Sequence, residues 1–284
     1  MEKNTAIRHS DQHPILPVEL EREIFTLAAS THVRTCCTLA LVARRAYIWL
    51  QAMLYEVKAF KTNGLKDNKK HTLARLCKAL YPAPKRAHLI RSLLLGYSVQ
   101  PQDLKYTLAL CDSVENLALW SANTGPELLP YLERMPLKRL SIGIIQLFGY
   151  LPPNFHVSMI FDKVTHLELR EPCNSWNRWR SLAQLPELTH LRLNPPYDLN
   201  LVQRVLVECP KLQVLELMGD SLVRCHFLAA SQPIPSVFDN LHDHRVKKRS
   251  TSRWGVLEEW IREAYADSKY WNLDESEMSR IDPE

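Results

Sequence analysis

Residues 164–169 read Val164-Thr165-His166-Leu167-Glu168-Leu169, and the spacing of their aliphatic side chains decides the fold. The order of one aliphatic, two variable residues, an aliphatic, one variable residue and an aliphatic occurs in six segments, whose central leucines lie 24, 23, 27, 24 and 24 residues apart. A period of about 20–50 residues indicates a repeat architecture. The six copies are residues 90–95, 114–119, 137–142, 164–169, 188–193 and 212–217.

Each copy has the length of one strand and cannot bury its aliphatic side chains alone. Side chains alternate between the two faces of a strand, so the second and third aliphatics point to the same side. Stacking the copies as a parallel ladder buries that side continuously. Amphipathic segments at 103–111, 127–135 and 201–209 predict helices that return the chain along a convex surface. We therefore predict an α/β solenoid over residues 90–220, with its parallel strands on the concave face.

These repeats resemble the irregular leucine-rich repeats that are common in ubiquitin-ligase adaptors. One difference is that the asparagine usually found three residues after the last aliphatic is absent from all six copies. The resemblance therefore implies an irregular leucine-rich-repeat array of about six repeats, without a regular asparagine ladder.

A different pattern precedes the repeats, in residues 14–60. Four apolar residues at spacings of four, four and three predict one face of a helix, and Pro17 suits its first turn, where a missing N–H does no harm. The stretch 33–54 predicts a second helix that is apolar on more than one side and must be covered by the repeats or by a partner. The four residues of the first helix are Leu16, Leu20, Ile24 and Leu27.

The segment Leu16-Pro17-x-Glu19-Leu20-x-x-x-Ile24-Phe25, followed by Leu41-Val42-Ala43-Arg44-Arg45-x-Tyr47-x-Trp49, resembles an F-box. Residues 54–57 resemble the first strand that many fungal F-box proteins place after this module. The chain departs from the family pattern in a longer stretch at 28–38, in the lack of an acidic residue before the second helix, and in Ala43, where a cysteine is frequent.

The resemblance implies that this module docks onto the Skp-type adaptor of an SCF ubiquitin ligase, and through it onto a cullin, while the repeats hold a protein substrate. Buried apolar side chains dominate interfaces of this kind. The alternative is a helical cap that only seals the first repeat. The implied adaptor contacts are Leu16, Pro17, Leu20, Ile24, Phe25 and Val42.

The variable strand positions point away from the core and define the surface on which a substrate would bind. Neighbouring strands lie about 4.8 Å apart, so these positions align in columns: Arg139, His166 and His190 in one, Glu168, Arg192 and Glu216 in the next. Arginines suit acidic or phosphorylated peptides, and the alternative is a solvated face of mixed charge. An exposed Trp120 would be a strong contact residue, unless it packs under a loop. The candidate substrate contacts are Trp120, Arg139, His166, Glu168, Arg170, His190, Arg192 and Glu216.

The segments around the repeats complete the organisation of the chain. Residues 1–13 and 272–284 are predicted to be disordered, and residues 61–89 to form a charged loop and a helix that lead into the repeats. In residues 221–271, Lys247-Lys248-Arg249 predicts a solvated loop, and apolar residues at helical spacing predict an amphipathic helix that caps the open end of the solenoid. These apolar residues are Trp254, Leu257, Trp260, Ile261, Ala264 and Tyr265.

Composition limits the classes of partner and the compartment. A net charge of +5 over 284 residues is weaker than a dedicated nucleic-acid-binding protein shows, and no apolar run approaches the roughly 18 residues of a membrane span. We therefore expect neither a nucleic-acid nor a membrane partner. The N-terminus resembles no secretory signal, and the seven cysteines form no C-x-x-C pair, which favours the cytoplasm, the nucleus or both.

The sequence offers no enzyme motif. Its seven glycines form no phosphate-binding cluster, and His242-Asp243-His244 with Glu258 and Glu259 matches no standard metal-ligand spacing. We therefore expect no catalytic residue, no metal and no cofactor. The sequence predicts a non-catalytic substrate-recognition adaptor of an SCF-type E3 ubiquitin ligase, and the alternative is a leucine-rich-repeat interaction scaffold without a ligase role.

Overall fold

The computed structural model describes most of the chain between residues 16 and 268. The termini predicted to be disordered, 1–13 and 272–284, lie outside the described residues, as do residues 61–72 of the predicted loop and 221–240 of the predicted cap. The described residues are 16–60, 73, 76, 80–81, 84–96, 99–121, 124–149, 158–171, 173, 175–195, 197–219, 241–250 and 255–268.

The chain begins with a module of three helices: α1 (Val18–Ser30), α2 (Val33–Val42) and α3 (Arg44–Glu56). The prediction of a single helix over residues 33–54 is wrong, because Ala43 is extended (φ −153°, ψ 151°) and separates two helices. This break lets α3 fold back, so that two apolar sides of the stretch face each other. The core of the helical module consists of Ala29, Cys36, Ala40, Leu50 and Met53.

Eight strands in the described part of the chain form one parallel sheet, and their order in the sheet follows their order in the sequence. The central leucines of all six motifs are register partners, from Leu93 with Leu117 to Leu191 with Leu215. The predicted α/β class is confirmed, and the stack is compatible with a solenoid. The strands are β1 Val57–Phe60, β2 Ser92–Leu95, β3 Asn116–Leu119, β4 Arg139–Ile142, β5 His166–Leu169, β6 His190–Leu193, β7 Val214–Gly219 and β8 Val246–Ser250.

One face of the sheet is covered by helices, which bury the aliphatic side of every repeat. All eighteen aliphatic positions of the six motifs are at most 3% exposed. A fully buried leucine contributes roughly 1.5–3 kcal/mol, so each repeat is stabilised mainly by its neighbours. The covering α-helices are α4 Pro101–Leu110, α5 Leu129–Leu132, α6 Ile144–Phe148, α7 Trp176–Trp179 and α8 Leu199–Glu208, joined by 3-10 turns at Pro84–Leu89, Pro126–Leu128, Met159–Phe161 and Arg180–Gln184.

A backbone carbonyl just before each of the strands β2 to β6 joins successive repeats. The Lys138 oxygen accepts the N–H groups of Thr165 and His166, at 2.8 and 3.1 Å. The Thr165 oxygen in turn accepts those of Thr189 and His190, both at 2.9 Å. A carbonyl oxygen has two lone pairs, so both are used by the next repeat. The loops that enter the strands are therefore held in the same register as the strands themselves.

Two strands of the sheet carry no motif and differ from the sequence expectation. Residues 54–56 end α3, and β1 starts only at Val57, so the predicted module 14–60 includes the first strand of the sheet. Lys247-Lys248-Arg249, predicted to be a solvated loop, lies in β8 and pairs with β7. The physical reason is that the last repeat otherwise leaves the N–H and C=O groups of β7 unpaired at the sheet edge.

Truncating a central leucine of the ladder should destabilise the protein strongly. Leu167 is 2% exposed, so Leu167→Ala removes buried surface and leaves a cavity between two neighbouring repeats, at a cost of about 3 kcal/mol. Val207→Ala, at a side chain that is 76% exposed on α8, is the matched control and should change stability by less than about 0.5 kcal/mol. Urea unfolding followed by circular dichroism measures both, and equal midpoints for the two variants would contradict the buried ladder.

Candidate functional site

The C-terminal helix α9 (Gly255–Ala266) lies on the second face of the sheet, the face that carries the variable strand positions. The prediction that this helix caps the open end of the array is wrong. The reason is that Leu94 of β2, Ala118 of β3 and Trp120, directly after β3, lie on this face, and burying their apolar surface is favourable. The buried cluster under α9 consists of Val57, Leu94, Ala118, Trp120, Leu257, Trp260, Ile261 and Ala264.

The same helix joins the second face to the helical module. Tyr265 packs against the core of the module, and Ser268 Oγ donates a hydrogen bond to the Glu56 carboxylate at the end of α3. α9 therefore touches the sheet and the module at once and helps to fix their relative placement.

Trp120 is not the exposed contact residue that the sequence suggested. Its side chain is 8% exposed under α9, and its Nε1–H donates to Ser141 Oγ at 2.7 Å. The Arg170 guanidinium lies 4.5 Å from the centre of a Trp120 ring, in cation–π geometry. The alternative prediction, that Trp120 is packed inside the protein, is thus correct, although a helix rather than a loop covers the side chain.

Ion pairs connect the charged positions of the second face. Glu168 is buried and accepts from Arg170 Nη1 at 2.7 Å and from Ser141 Oγ at 2.8 Å. Burial alone would raise the pKa of Glu168, but Arg170 and Arg192 outweigh it and lower the pKa to about 2. Arg192 Nε donates to Glu216 at 2.7 Å. The charged side chains of this column, Glu168, Arg192 and Glu216, are therefore paired within the protein.

α9 contributes its own carboxylates to this network. Three acidic residues spaced by four, which places them along one side of a helix, each pair with an arginine of a strand. The pairs are Glu259 with Arg249, Glu263 with Arg192 at 2.8 Å, and Asp267, directly after the helix, with Arg139 at 2.8 Å.

The two columns predicted from strand spacing are present in the sheet. Arg139 is the register partner of His166, and His166 is the partner of His190. The two imidazole rings stack with centroids 4.0 Å apart and an angle of 10° between their planes. Burial, with the charges of Arg139, His190 and Arg192, lowers the pKa of His166 to about 3. Both rings are therefore neutral at pH 7, since burial and Arg139 also lower the pKa of His190.

A cleft of about 330 Å³ remains open between α9 and the strands. His166, His190 and Arg139 line it from the sheet, Lys247 and Arg249 line it from β8, and Trp260, Glu263, Ala266 and Asp267 line it from the C-terminal segment. Six of the eight candidate substrate residues thus line one cavity, whereas Trp120 lies beneath the helix and Arg170, directly after β5, lies outside the lining.

Several residues at this cleft were missed from the sequence. Lys247 and Arg249 carry no repeat motif, and the α9 carboxylates lie far from their partners along the chain. One signal could have found them: the spacing of four between Glu259, Glu263 and Asp267 marks an acidic stripe on a helix otherwise recognised only by its apolar side.

The helical module carries a second candidate surface, which we call the exposed apolar surface. Eight of the eleven large hydrophobic side chains that are exposed in the described residues lie within residues 16–48, a concentration that is typical of an interaction site. They are Leu16, Val18, Leu20, Ile24, Leu27, Leu41, Val42 and Ile48.

Five of the six implied adaptor contacts are exposed rather than packed in the core of the module. Leu20 and Val42, for which helix packing was the alternative, are 48% and 65% exposed. Leu16, Pro17 and Ile24 are exposed as well. Phe25 is half-buried, edge-on against Trp49 with ring centroids 6.0 Å apart.

The chain was compared with family models and with curated proteins. The chain matches no family model, and no curated protein matches it. The resemblance to F-box and leucine-rich-repeat proteins therefore remains a hypothesis that rests on the residues of this chain. In the described residues, no helix is both long and apolar enough to cross a membrane.

The neutral imidazole of His166 should make stability depend on pH. Its pKa is about 3 in the folded chain against an ordinary 6.5, so between these values the unfolded chain binds a proton that the folded chain does not. This contribution to the free energy of unfolding therefore falls as pH falls from about 6.5 toward 3. Replacing His166→Gln should reduce the drop in melting temperature between pH 7 and pH 5.

The control for this comparison is His242→Gln, at an exposed residue of the loop before β8. It should retain the pH dependence of the native chain. Equal drops for the native chain and for His166→Gln would contradict a neutral, half-buried imidazole.

Proposed function

We propose that this protein is the substrate-recognition adaptor of an SCF-type E3 ubiquitin ligase, with an F-box module followed by leucine-rich repeats. The helical module docks onto a Skp-type adaptor, and through it onto a cullin. The second face of the sheet binds a protein substrate. The chain is then a non-catalytic subunit that brings a substrate to the ligase.

The exposed apolar surface of the helical module is the observation that carries this proposal. Leu16, Leu20 and Ile24 follow each other at helical spacing, yet each is about half exposed. An amphipathic helix normally turns such a stripe to its own core, whereas the core of this module is made by other residues. An apolar stripe that stays exposed is explained if a partner protein covers it. The resemblance to an F-box implies that this partner is a Skp-type adaptor.

The second face supplies the other half of the proposal. Its strand positions form a cleft lined by charged and imidazole side chains, next to a rigid sheet. Convergent polar groups in a concave site suit recognition of a polar segment of another protein. The buried Cys36, Cys173 and Cys209 carry free thiols, which fits the proposed location in the cytoplasm, the nucleus or both.

Shortening two side chains of the exposed apolar surface should weaken adaptor binding without unfolding the module. Leu20→Ala with Ile24→Ala changes two side chains of α1 that are 48% and 52% exposed. Truncating an interface anchor typically costs about 2 kcal/mol, so we expect the affinity for a purified Skp-type adaptor to drop at least about tenfold. Biolayer interferometry with immobilised adaptor measures the change.

The control is Met159→Ala with Val207→Ala, two apolar side chains of similar or greater exposure that lie in the repeats. This pair should bind the adaptor like the native chain. If the native chain itself does not bind, the ligase role is excluded and the interaction scaffold remains. If the native chain binds and the α1 pair binds equally well, the assignment of the surface is wrong.

A further inference from the structure

Two histidines on neighbouring strands present unprotonated ring nitrogens to the cleft beside α9. The Thr165 hydroxyl donates to the Lys138 carbonyl oxygen at 3.2 Å, and its oxygen lies 2.8 Å from His166 Nδ1. A hydroxyl group has a single proton, so the proton between Thr165 and His166 belongs to Nδ1. The Nε2 atom of the neutral His166 ring therefore carries a lone pair and accepts a hydrogen bond.

The next repeat has the same arrangement. The Thr189 hydroxyl donates to the Thr165 carbonyl oxygen at 3.1 Å, and its oxygen lies 2.9 Å from His190 Nδ1. His166 and His190 are register partners, and their rings stack with centroids 4.0 Å apart. Both rings line the cleft, and no hydrogen bond within the described part of the chain uses either Nε2 atom. The cleft therefore contains two hydrogen-bond acceptors side by side.

The charged side chains of the cleft are balanced within the protein. Arg139 pairs with Asp267 at 2.8 Å, and Arg192 pairs with Glu263 at 2.8 Å. Because the lining contains four basic side chains and four carboxylates, no net charge attracts an anion or a cation. A charged ligand would lose its hydration with no net charge of the cleft to offset the loss. The eight side chains are Arg139, Arg192, Lys247, Arg249, Glu168, Glu216, Glu263 and Asp267.

One hydrogen-bond donor stands beside the two acceptors. Lys247 of β8 is exposed and lines the cleft, and its charge acts on His190, so its ammonium group lies near that ring. Lys247 forms no ion pair with another described residue. An ammonium group donates three hydrogen bonds and accepts none. The cleft thus combines two acceptors on the imidazoles with a donor group on β8.

A primary carboxamide satisfies this combination of groups. It is uncharged and has two N–H donors and one carbonyl acceptor. Because the two rings are 4.0 Å apart, the amide nitrogen can lie at a hydrogen-bond distance of about 2.9 Å from both Nε2 atoms. A hydroxyl group has one proton and serves only one ring. An ammonium group is opposed by Arg139 and Arg192, whose charges disfavour a positive charge at His166.

We propose that the cleft between α9 and the sheet binds the side-chain carboxamide of an asparagine or glutamine. Its N–H groups donate to Nε2 of His166 and of His190, and its oxygen accepts from Lys247. That this side chain belongs to a protein substrate rests on the proposed function. Binding of the amide to the purified chain does not depend on it.

Three small probes of the same shape and different charge test the site: acetamide, acetate and acetamidinium. Each is titrated at pH 7 into the full-length protein, while the ring nitrogens of His166 and His190 are followed by NMR. We expect a protonated Nδ1 and an unprotonated Nε2 in the free protein, and saturable shifts of both Nε2 atoms with acetamide. Protonated Nε2 atoms, no saturation with acetamide, or equal or tighter binding of a charged probe would overturn the proposal.

Two variants identify the groups that hold the amide. His190→Asn removes one Nε2 acceptor, and Lys247→Met removes the exposed ammonium group. Each variant loses a hydrogen bond to the probe, so acetamide binding should weaken about fivefold. The matched control is Lys248→Met, at an exposed residue of the same strand that lies outside the lining, and it should bind acetamide like the native chain.

Unchanged affinity in Lys247→Met, or an equal loss in Lys248→Met, would overturn the assignment of the donor. Unchanged affinity in His190→Asn would overturn the assignment of the acceptors. Adaptor binding by the helical module is measured separately, so either proposal can fail without the other.

Discussion

The stacking of one repeat on the next is the constraint on which the rest of this structure depends. A four-residue strand with two inward leucines has too little surface to fold alone, so its stability comes from the neighbours that cover it. Paired central leucines and the carbonyls that accept two N–H groups act together, since both require the same register. Every outward position is thereby placed within about 5 Å of its counterpart on the next strand. This regularity converts scattered residues such as His166 and His190 into a stacked pair.

The side of the sheet opposite the repeat helices is the second face, and its two halves differ in the chemistry of their side chains. The first strands present apolar side chains, which α9 covers, whereas the later strands present charges, which α9 meets with carboxylates. The helix thereby closes one half of the face, narrows the other to a cleft, and reaches the helical module through Tyr265. The exposed apolar surface of the module stays open. The molecule thus has two separate surfaces of different chemistry, one apolar and one charged. Helix α9 contacts both the sheet that carries the charged surface and the module that carries the apolar one.

The sequence predicted the parts of this fold that depend on local periodicity. The spacing of leucines defines both the strands and their register, because inward positions of successive copies must meet. The break at Ala43 carries no proline or glycine and follows only from the packing of α2 on α3. β8 is held by backbone pairing rather than by a pattern. The place of α9 was missed because its contacts span long separations, such as 71 residues between Arg192 and Glu263, although Trp120 at an outward position was a usable sign.

Hydrogen exchange of the full chain, measured with and without a Skp-type adaptor, tests most directly whether the two surfaces have separate roles. We expect slower exchange in α1 and α2 on addition of the adaptor, and unchanged exchange in β4 to β6. Slower exchange in the strands with none in the module would contradict it, because the adaptor would then occupy the face assigned to the substrate.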